Sequence, residues 1–123
     1  MARSNVLGKL TTHVLDAAHG CPGVAIVIEL YRVEGEQLLK VASTITNADG
    51  RCDAPLLQGD GYRSGVYQLH FHAGDYYRAR GVVLNEPAFL DVVVLRFGID
   101  ADQPHFHVPL LISPYSYSTY RGS

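Results

Sequence analysis

Two His-Phe-His triplets, at residues 70–72 and 105–107, hold four of the six histidines in this chain. In a β-strand the first and third side chains of a triplet point to the same side, so either pair of imidazoles could bind a metal ion. The alternative is a pair of hydrogen-bonded histidines on a solvated sheet face. No Cys-x-x-Cys or His-Glu-x-x-His motif accompanies the triplets, and no acidic residue stands at a ligand spacing. We therefore favour the alternative for His70 and His72, and expect no metal and no cofactor.

His13 and Arg51 are two further candidates for chemistry. By position alone, His13 is typical of a half-buried histidine in a strand, and Arg51 of a surface arginine after the Asp49-Gly50 turn. An imidazole titrates near neutral pH and can act as a general base on water. A guanidinium can hold oxygen atoms and stabilise an oxyanion. No serine elbow or Cys–His nucleophile motif is visible, which favours direct attack by water over an acyl-enzyme.

The C-terminal stretch carries one histidine triplet and is predicted to be a strand. Its apolar residues alternate onto one face, which leaves His105 and His107 on the other. Pro114 breaks the pattern, and the alternation then resumes as a second short strand or a bent continuation. Because a tail so rich in tyrosine must pack against something, we expect the last residues to line a site. The alternating apolar residues are Phe106, Val108, Leu110 and Ile112.

The remaining chain is predicted to be mostly β-structure. The one plausible helix spans residues 75–80, with Asp75 as its N-cap and Gly81 at its end. Six or seven short strands with regular turn signals favour an all-β sandwich, with a closed barrel as the alternative. The other predicted strands cover residues 10–16, 24–33, 38–46, 65–73 and 89–99, and residues 51–64 read as a loop.

Composition indicates one domain over residues 1–123, with residues 1–9 as a flexible N-terminus. The net charge is −2 and there is no basic run, which disfavours nucleic-acid binding. No apolar run is long enough to span a membrane, and no secretory signal is visible. Cys21 and Cys52 are expected to be free thiols in a reducing compartment. We therefore expect a cytoplasmic protein.

Four blocks of the sequence carry a family resemblance that spans nearly the whole chain. The last of them, at the C-terminus, is highly specific. Together they resemble the 5-hydroxyisourate hydrolases, the transthyretin-related enzymes of purine degradation. The blocks are Leu-Thr-Thr-His-Val-Leu-Asp at 10–16, Asp-Gly-Arg at 49–51, His-Val-Pro-Leu-Leu at 107–111, and Tyr-Ser-Thr-Tyr-Arg-Gly-Ser at 117–123.

The resemblance implies a transthyretin-like fold, which is a two-sheet Greek-key sandwich with one short helix. It also implies a homotetramer built as a dimer of dimers, with the sites where the dimers face each other. The implied reaction adds water to a ring amide of 5-hydroxyisourate and opens the ring to 2-oxo-4-hydroxy-4-carboxy-5-ureidoimidazoline, a step of urate degradation.

The resemblance further implies which residues act. His13, Arg51 and His107 match the active-site positions of the family, and Tyr120 and Ser123 match positions that bind the substrate. Arg121 would position the tail, and His105 matches a residue that is often present without a central role. Which of His13 and His107 is the general base stays open at this point.

Two other functions are weighed against the hydrolase. One is a transthyretin-like carrier that holds an apolar ligand in a central channel; such a channel needs none of the matched histidines or the arginine. The other is a metal-dependent β-sandwich enzyme of the cupin type, prompted by the two histidine triplets. It is disfavoured because the glutamate ligand of such sites is missing.

Overall fold

A computed structural model describes residues 8–122; residues 1–7 and Ser123 lie outside the described residues. Within the described range, nine strands, one α-helix and one short 3-10 turn at Gly59–Gly61 follow one another. Lys9, assigned above to the N-terminal segment, is the first residue of the first strand. The elements are β1 (Lys9–Asp16), β2 (Cys21–Pro22), β3 (Val27–Glu34), β4 (Gln37–Ile45), β5 (Leu57–Gln58), β6 (Gly65–His72), α1 (Ala73–Ala79), β7 (Val92–Ile99), β8 (His105–Ile112) and β9 (Tyr117–Thr119).

The strands form two sheets. Sheet 1 has the order β2-β1-β8-β9, and β5 also pairs with β1. Sheet 2 has the order β4-β3-β6-β7 and is antiparallel throughout. In sheet 1, β1 and β8 run parallel, so the first and last long strands of the chain are direct neighbours. The expected two-sheet sandwich with one short helix is confirmed, and the closed barrel is wrong.

Alternating side chains build the core between the sheets. In β1 and β8 every second residue is buried, including Leu10, Val14 and Leu110, which are 0% exposed. They pack in one cluster with residues of sheet 2 such as Leu30 and Phe71. Because the period of a strand is two, the intervening residues of β1 and β8 must lie on the outer face of sheet 1.

Helix α1 is attached to the end of β1 by a buried carboxylate. The side chain of Asp16 is fully buried and accepts hydrogen bonds from the hydroxyls of Tyr76 and Tyr77 at 2.7 and 2.8 Å. His19 Nδ1 lies 2.7 Å from the same carboxylate. Burial acts to raise the pKa of Asp16, but the hydrogen bonds from the tyrosines and His19 outweigh it and lower that pKa. The end of β1 is therefore held rigidly in the sheet.

Several predicted boundaries are wrong. Strand β3 begins at Val27 rather than at residue 24, because Ala25 takes a φ of 63°, which an extended strand does not allow. Strand β7 begins at Val92 rather than at residue 89, after a loop that follows the helix. Helix α1 begins two residues earlier than predicted, and Asp75 does not cap it but pairs with Arg78 at 3.0 Å. The two-residue strands β2 and β5 carry too few residues for a periodic signal.

Two other expectations have outcomes in the described residues. Cys21 and Cys52 are free cysteines, as predicted. No helix among residues 8–122 has the length and apolar character that crossing a membrane requires.

Candidate active site

The outer face of sheet 1 brings together histidines from the two ends of the chain. In the parallel pairing of β1 with β8, Thr11 stands opposite His107 and His13 opposite Pro109. Thr11, His13, His105 and His107 all belong to the non-core alternation of their strands. The chemistry-bearing side chains therefore share one surface although more than ninety positions separate Thr11 from His105 and His107.

The imidazoles are in contact with one another and with a hydroxyl. The rings of His13 and His107 stack with centroids 5.7 Å apart and an interplanar angle of 15°. Thr11 Oγ1 lies 2.7 Å from His107 Nδ1 and 3.1 Å from His105 Nε2. This geometry fixes the orientation of the His107 ring, because its Nδ1 is held by the sheet-borne threonine.

A tight turn delivers Arg51 to the same place. Asn47 Oδ1 accepts hydrogen bonds from the backbone N–H of Asp49 and of Arg51, and Gly50 follows with a φ of 75°. A side chain at Gly50 would collide with the carbonyl of Val14, so the turn needs glycine there. The Val14 N–H donates to the Gly50 carbonyl at 2.8 Å, and an antiparallel bridge then joins Arg51 to His13. The predicted Asp49-Gly50 turn is confirmed.

A cleft of about 410 Å³ opens beside these residues. Arg51 forms no ion pair within residues 8–122, and no acidic side chain of that range lines the cleft. A polar cavity with an uncompensated guanidinium suits a small, polar ligand that carries negative charge. The lining residues are Thr11, Thr12, Arg51, Cys52, Ala54, His105 and His107.

Both stacked histidines are neutral near pH 7. Burial lowers the pKa of His13, and the charge of Arg51 lowers it further. Burial likewise lowers the pKa of His107, with smaller effects from His13, Arg51 and His105. Nδ1 of His13 is buried and has no hydrogen-bond partner among the described residues. A proton on that nitrogen would be buried without an acceptor, which also favours a neutral ring with the proton on Nε2.

The C-terminal tail returns along β8 to the site. The Gly122 N–H donates to the His107 carbonyl at 2.7 Å, and a side chain at Gly122 would press on the His107 ring. The Arg121 guanidinium lies over the Phe106 ring at 4.2 Å and donates to the His105 carbonyl at 3.1 Å. The tail is therefore ordered against the strand that carries His107.

Tyr120 does not line this cleft. Tyr120 is 61% exposed and lines a separate cavity of about 380 Å³, together with residues of β7 and β8. Ser123 lies outside the described residues. The structure thus brings together His13, Arg51 and His107 of the predicted site residues.

Triplet 70–72 lies on the outer face of the other sheet. His70 Nε2 is 2.9 Å from Gln68 Oε1, and His72 Nε2 is 2.9 Å from Glu29 Oε1. Our expectation of hydrogen-bonded histidines on a sheet face is confirmed. Because the two triplets occupy different sheets, they cannot join in one metal site, and within residues 8–122 no group of three or more His, Cys, Asp or Glu side chains has metal-binding geometry.

Sequence reasoning missed Thr11 as part of the site. Its position two residues before His13 puts it on the same face of β1, and this spacing was the available signal. Cys52 and Ala54, which line the cleft after β4, come from a segment without periodicity. No sequence signal placed them there.

Fold and site together define a class of protein: a transthyretin-like β-sandwich with two neutral imidazoles and a guanidinium on the outer face of one sheet. The model of the HIUase/Transthyretin family matches residues 10–122. The chain therefore belongs to this family, and the expected transthyretin-like fold is confirmed.

Similar proteins from several organisms carry one name. The chain is 73% identical over 121 residues to a 5-hydroxyisourate hydrolase of Pseudomonas aeruginosa, covering 98% of this chain and 96% of that one. It is 57% identical to 5-hydroxyisourate hydrolase 2 of Rhizobium meliloti, covering 94% and 97%. It is 41% identical to the 5-hydroxyisourate hydrolase of Mus musculus, covering 93% and 94%.

Two solved structures are similar in fold. One is the 5-hydroxyisourate hydrolase of Klebsiella pneumoniae, with a TM-score of 0.79 and 33% identity, covering 94% of this chain and 99% of that one. The other is an (S)-allantoin synthase, with a TM-score of 0.90 and 42% identity. That match covers all of this chain but 46% of the synthase chain.

Proposed function

We propose that this protein hydrolyses 5-hydroxyisourate to 2-oxo-4-hydroxy-4-carboxy-5-ureidoimidazoline. One observation carries the proposal: His13, Arg51 and His107, from three distant stretches, meet on the outer face of sheet 1, where Arg51 and His107 line the cleft and His13 stacks on His107. The high identity to hydrolases of that name supports the same substrate. A polar cleft with a free guanidinium also fits a flat, polar bicycle better than the apolar ligand of a carrier.

His107 is the general base in this proposal. Its Nδ1 is held by Thr11, so with the proton on Nδ1 the lone pair on Nε2 is free to take a proton from water. The pKa of His107 is lowered by burial and by its neighbours, so the ring is neutral and competent at pH 7. The hydroxide formed adds to the ring carbonyl carbon, the C–N bond breaks, and His107 returns the proton to the departing nitrogen.

His13 and Arg51 stabilise the oxyanion. With its buried Nδ1 unprotonated, His13 carries its proton on Nε2 and acts as a donor rather than a base. Arg51, bridged to His13 through the backbone, supplies the positive charge. Donors that are fixed in place before the reaction stabilise the developing negative charge most effectively.

We further propose that Tyr120 and Ser123 contribute to substrate binding. The backbone pairing of Gly122 with His107 supports this, because it brings the end of the chain to the strand of the general base. A homotetramer, built as a dimer of dimers, is also proposed from the family resemblance. The site lies on an outer sheet face, where a second copy can cover it. Sedimentation that shows an active monomer would contradict the tetramer.

The test is a direct assay. 5-Hydroxyisourate made freshly from urate is mixed with the purified protein, and its ultraviolet absorbance is followed. We expect decay well above the spontaneous rate, before and after dialysis against a strong chelator. Decay at the spontaneous rate would overturn the proposed function. Loss of activity on dialysis with recovery on adding zinc would replace the histidine mechanism by a metal-dependent one.

A further inference from the structure

The hydroxyl of Thr11 joins two imidazoles that differ in their access to solvent. Oγ1 lies 2.7 Å from His107 Nδ1 and 3.1 Å from His105 Nε2, both within hydrogen-bond range. His107 is half-buried under its neighbours, whereas His105 is exposed. The three side chains all line the cleft and form a continuous series of hydrogen bonds from half-buried His107 to exposed His105.

The number of protons on each group fixes which atom donates in each of these hydrogen bonds. A threonine hydroxyl has one proton to donate, and it can accept at its lone pairs. If His107 is a base at Nε2, its own proton is on Nδ1 and is donated to Thr11. The Thr11 proton then points to His105 Nε2, so neutral His105 carries its proton on Nδ1.

The proposed reaction requires a proton to leave the site in each turnover. One of the two protons of the attacking water ends on the nitrogen released by C–N cleavage. The other is the acid proton of the new carboxyl group, which ionises at neutral pH. A cationic His107 is disfavoured by burial and by His13, Arg51 and His105 around it, so the proton does not rest on that ring.

We propose that Thr11 and His105 form a proton relay that carries this proton from His107 to solvent; the inference rests on the proposed function. The carboxyl proton passes to His107 Nε2, the His107 Nδ1 proton passes to Thr11 Oγ1, and the Thr11 hydroxyl proton passes to His105 Nε2. His105 then releases its Nδ1 proton to water. Charge and proton number balance at each step, and the steps leave His107 and His105 protonated on Nε2. After the product leaves, His107 gives its Nε2 proton to water in the open cleft, and the Thr11 hydroxyl proton passes to His107 Nδ1. The His105 Nε2 proton passes to Thr11, and His105 takes a proton from water at Nδ1, which restores the starting tautomers. Thr11 and His105 act through His107 and are positioning residues for it.

The kinetic test uses variants that keep the shape and break the relay. Thr11→Val replaces the hydroxyl by a methyl group, and His105→Gln keeps a polar side chain that cannot take up the proton. We expect kcat to fall roughly tenfold in each, at the low end of proton-transfer effects. Added imidazole buffer, which carries protons in place of the relay, should restore much of the loss. Thr11→Ser retains the hydroxyl and should lose less activity than Thr11→Val, with no gain from imidazole.

Thr12→Val is the matched control. Thr12 is the adjacent threonine, and its hydroxyl donates to the Val108 carbonyl at 2.6 Å inside the core instead of touching a histidine. Its removal should lower the melting temperature without making the rate depend on imidazole. Wild-type kcat in both relay variants would overturn the proposal, as would a loss that imidazole does not rescue.

A second measurement does not require turnover. Nitrogen-15 NMR of the imidazoles distinguishes the two neutral tautomers. In the wild type we expect His107 and His105 both to be protonated on Nδ1, and Thr11→Val to give mixed tautomers at His107. A wild-type His107 protonated on Nε2 would overturn the relay even if the enzyme is active. The expected tautomers in a protein that fails to hydrolyse 5-hydroxyisourate would instead place the failure in the proposed function.

Discussion

The two His-Phe-His triplets have the same local sequence, the same secondary structure and opposite surroundings. In both, Phe packs inward and the two histidines point out of the sheet. His72 meets Glu29, which Lys40 also contacts at 2.9 Å, so one carboxylate is the partner of both side chains. His107 meets Thr11 and His13 beside Arg51, which forms no ion pair within residues 8–122, and no carboxylate of that range lines its cleft.

In our proposal this difference separates a histidine that stabilises the fold from one that acts on the substrate. His72 also lines a cavity, of about 360 Å³, but its Nε2 is held by the Glu29 carboxylate. At His107, burial lowers the pKa, with smaller effects from His13, Arg51 and His105, and Nε2 is left for a substrate or water. The triplet pattern alone therefore does not predict chemistry; the neighbouring strand does.

Deleting residues 120–123 should have the largest effect, because Arg121 and Gly122 contact triplet 105–107. The deletion removes the Gly122–His107 backbone hydrogen bond and the Arg121 contact with the His105 carbonyl. We expect kcat to fall roughly a hundredfold or more, in the range of lost oxyanion or acid–base groups. Melting temperature and oligomeric state should be nearly unchanged. A C-terminal tag should act similarly and an N-terminal tag should not; a truncated protein at the wild-type rate would refute the role of the tail.

His13→Asn compared with His70→Asn contrasts the two outer faces directly. We expect kcat to fall roughly a hundredfold for the first, the effect of losing an oxyanion donor. His70, which contacts Gln68 and Tyr31, is far from the proposed chemistry, and its replacement should leave the rate as in the wild type. Steady-state kinetics on 5-hydroxyisourate decide this, and equal rates for both variants would remove His13 from the site.

Arg51→Lys and Arg51→Gln separate geometry from charge. Lysine keeps the charge but loses the planar pair of donors, and should lower kcat roughly tenfold; glutamine loses both, and should lower it roughly a hundredfold. The acid limb of kcat/KM should lie below pH 6.5 in the wild type, because a lowered pKa keeps the base neutral into mild acid. Arg51→Gln should raise the pH of this acid limb, whereas Arg51→Lys should leave it unchanged. An acid limb at the same pH in the wild type and in both variants would mean that Arg51 does not lower the pKa of the base.

Glu29→Gln should change acid stability and leave turnover as it is. Hydrogen bonds from His72 and Lys40 lower the pKa of Glu29 from 4.5 to about 2. A lowered carboxylate pKa contributes stability that is present above pH 4.5 and is lost as the pH falls towards 2. Melting temperatures between pH 7 and pH 3 should therefore fall less steeply in the variant. An unchanged slope would mean that this cluster does not stabilise the fold.

The long strands were predictable from sequence because apolar and polar residues alternate along them according to which side chains face the core. β1 and β8 lie close to their predicted positions. β3 and β7 begin later than predicted, because neither the conformation at Ala25 nor the loop before Val92 is visible in the alternation of apolar and polar residues. The convergence of His13 with His107 depends on parallel pairing of the first and last long strands, which no spacing reveals. The family resemblance supplied these residues, and physical pattern alone did not. The role of Thr11 needed the cross-strand distances.

The most direct measurement compares His107→Gln with His72→Gln in the 5-hydroxyisourate decay assay. The two variants make the same change at the corresponding third position of each triplet, and both histidines are half-buried. We predict that His107→Gln lowers kcat roughly a hundredfold or more, as expected for a lost general base. His72→Gln should hydrolyse the substrate at the wild-type rate. Full activity in His107→Gln, or an equal loss in both variants, would contradict the assignment of the reaction to the outer face of sheet 1.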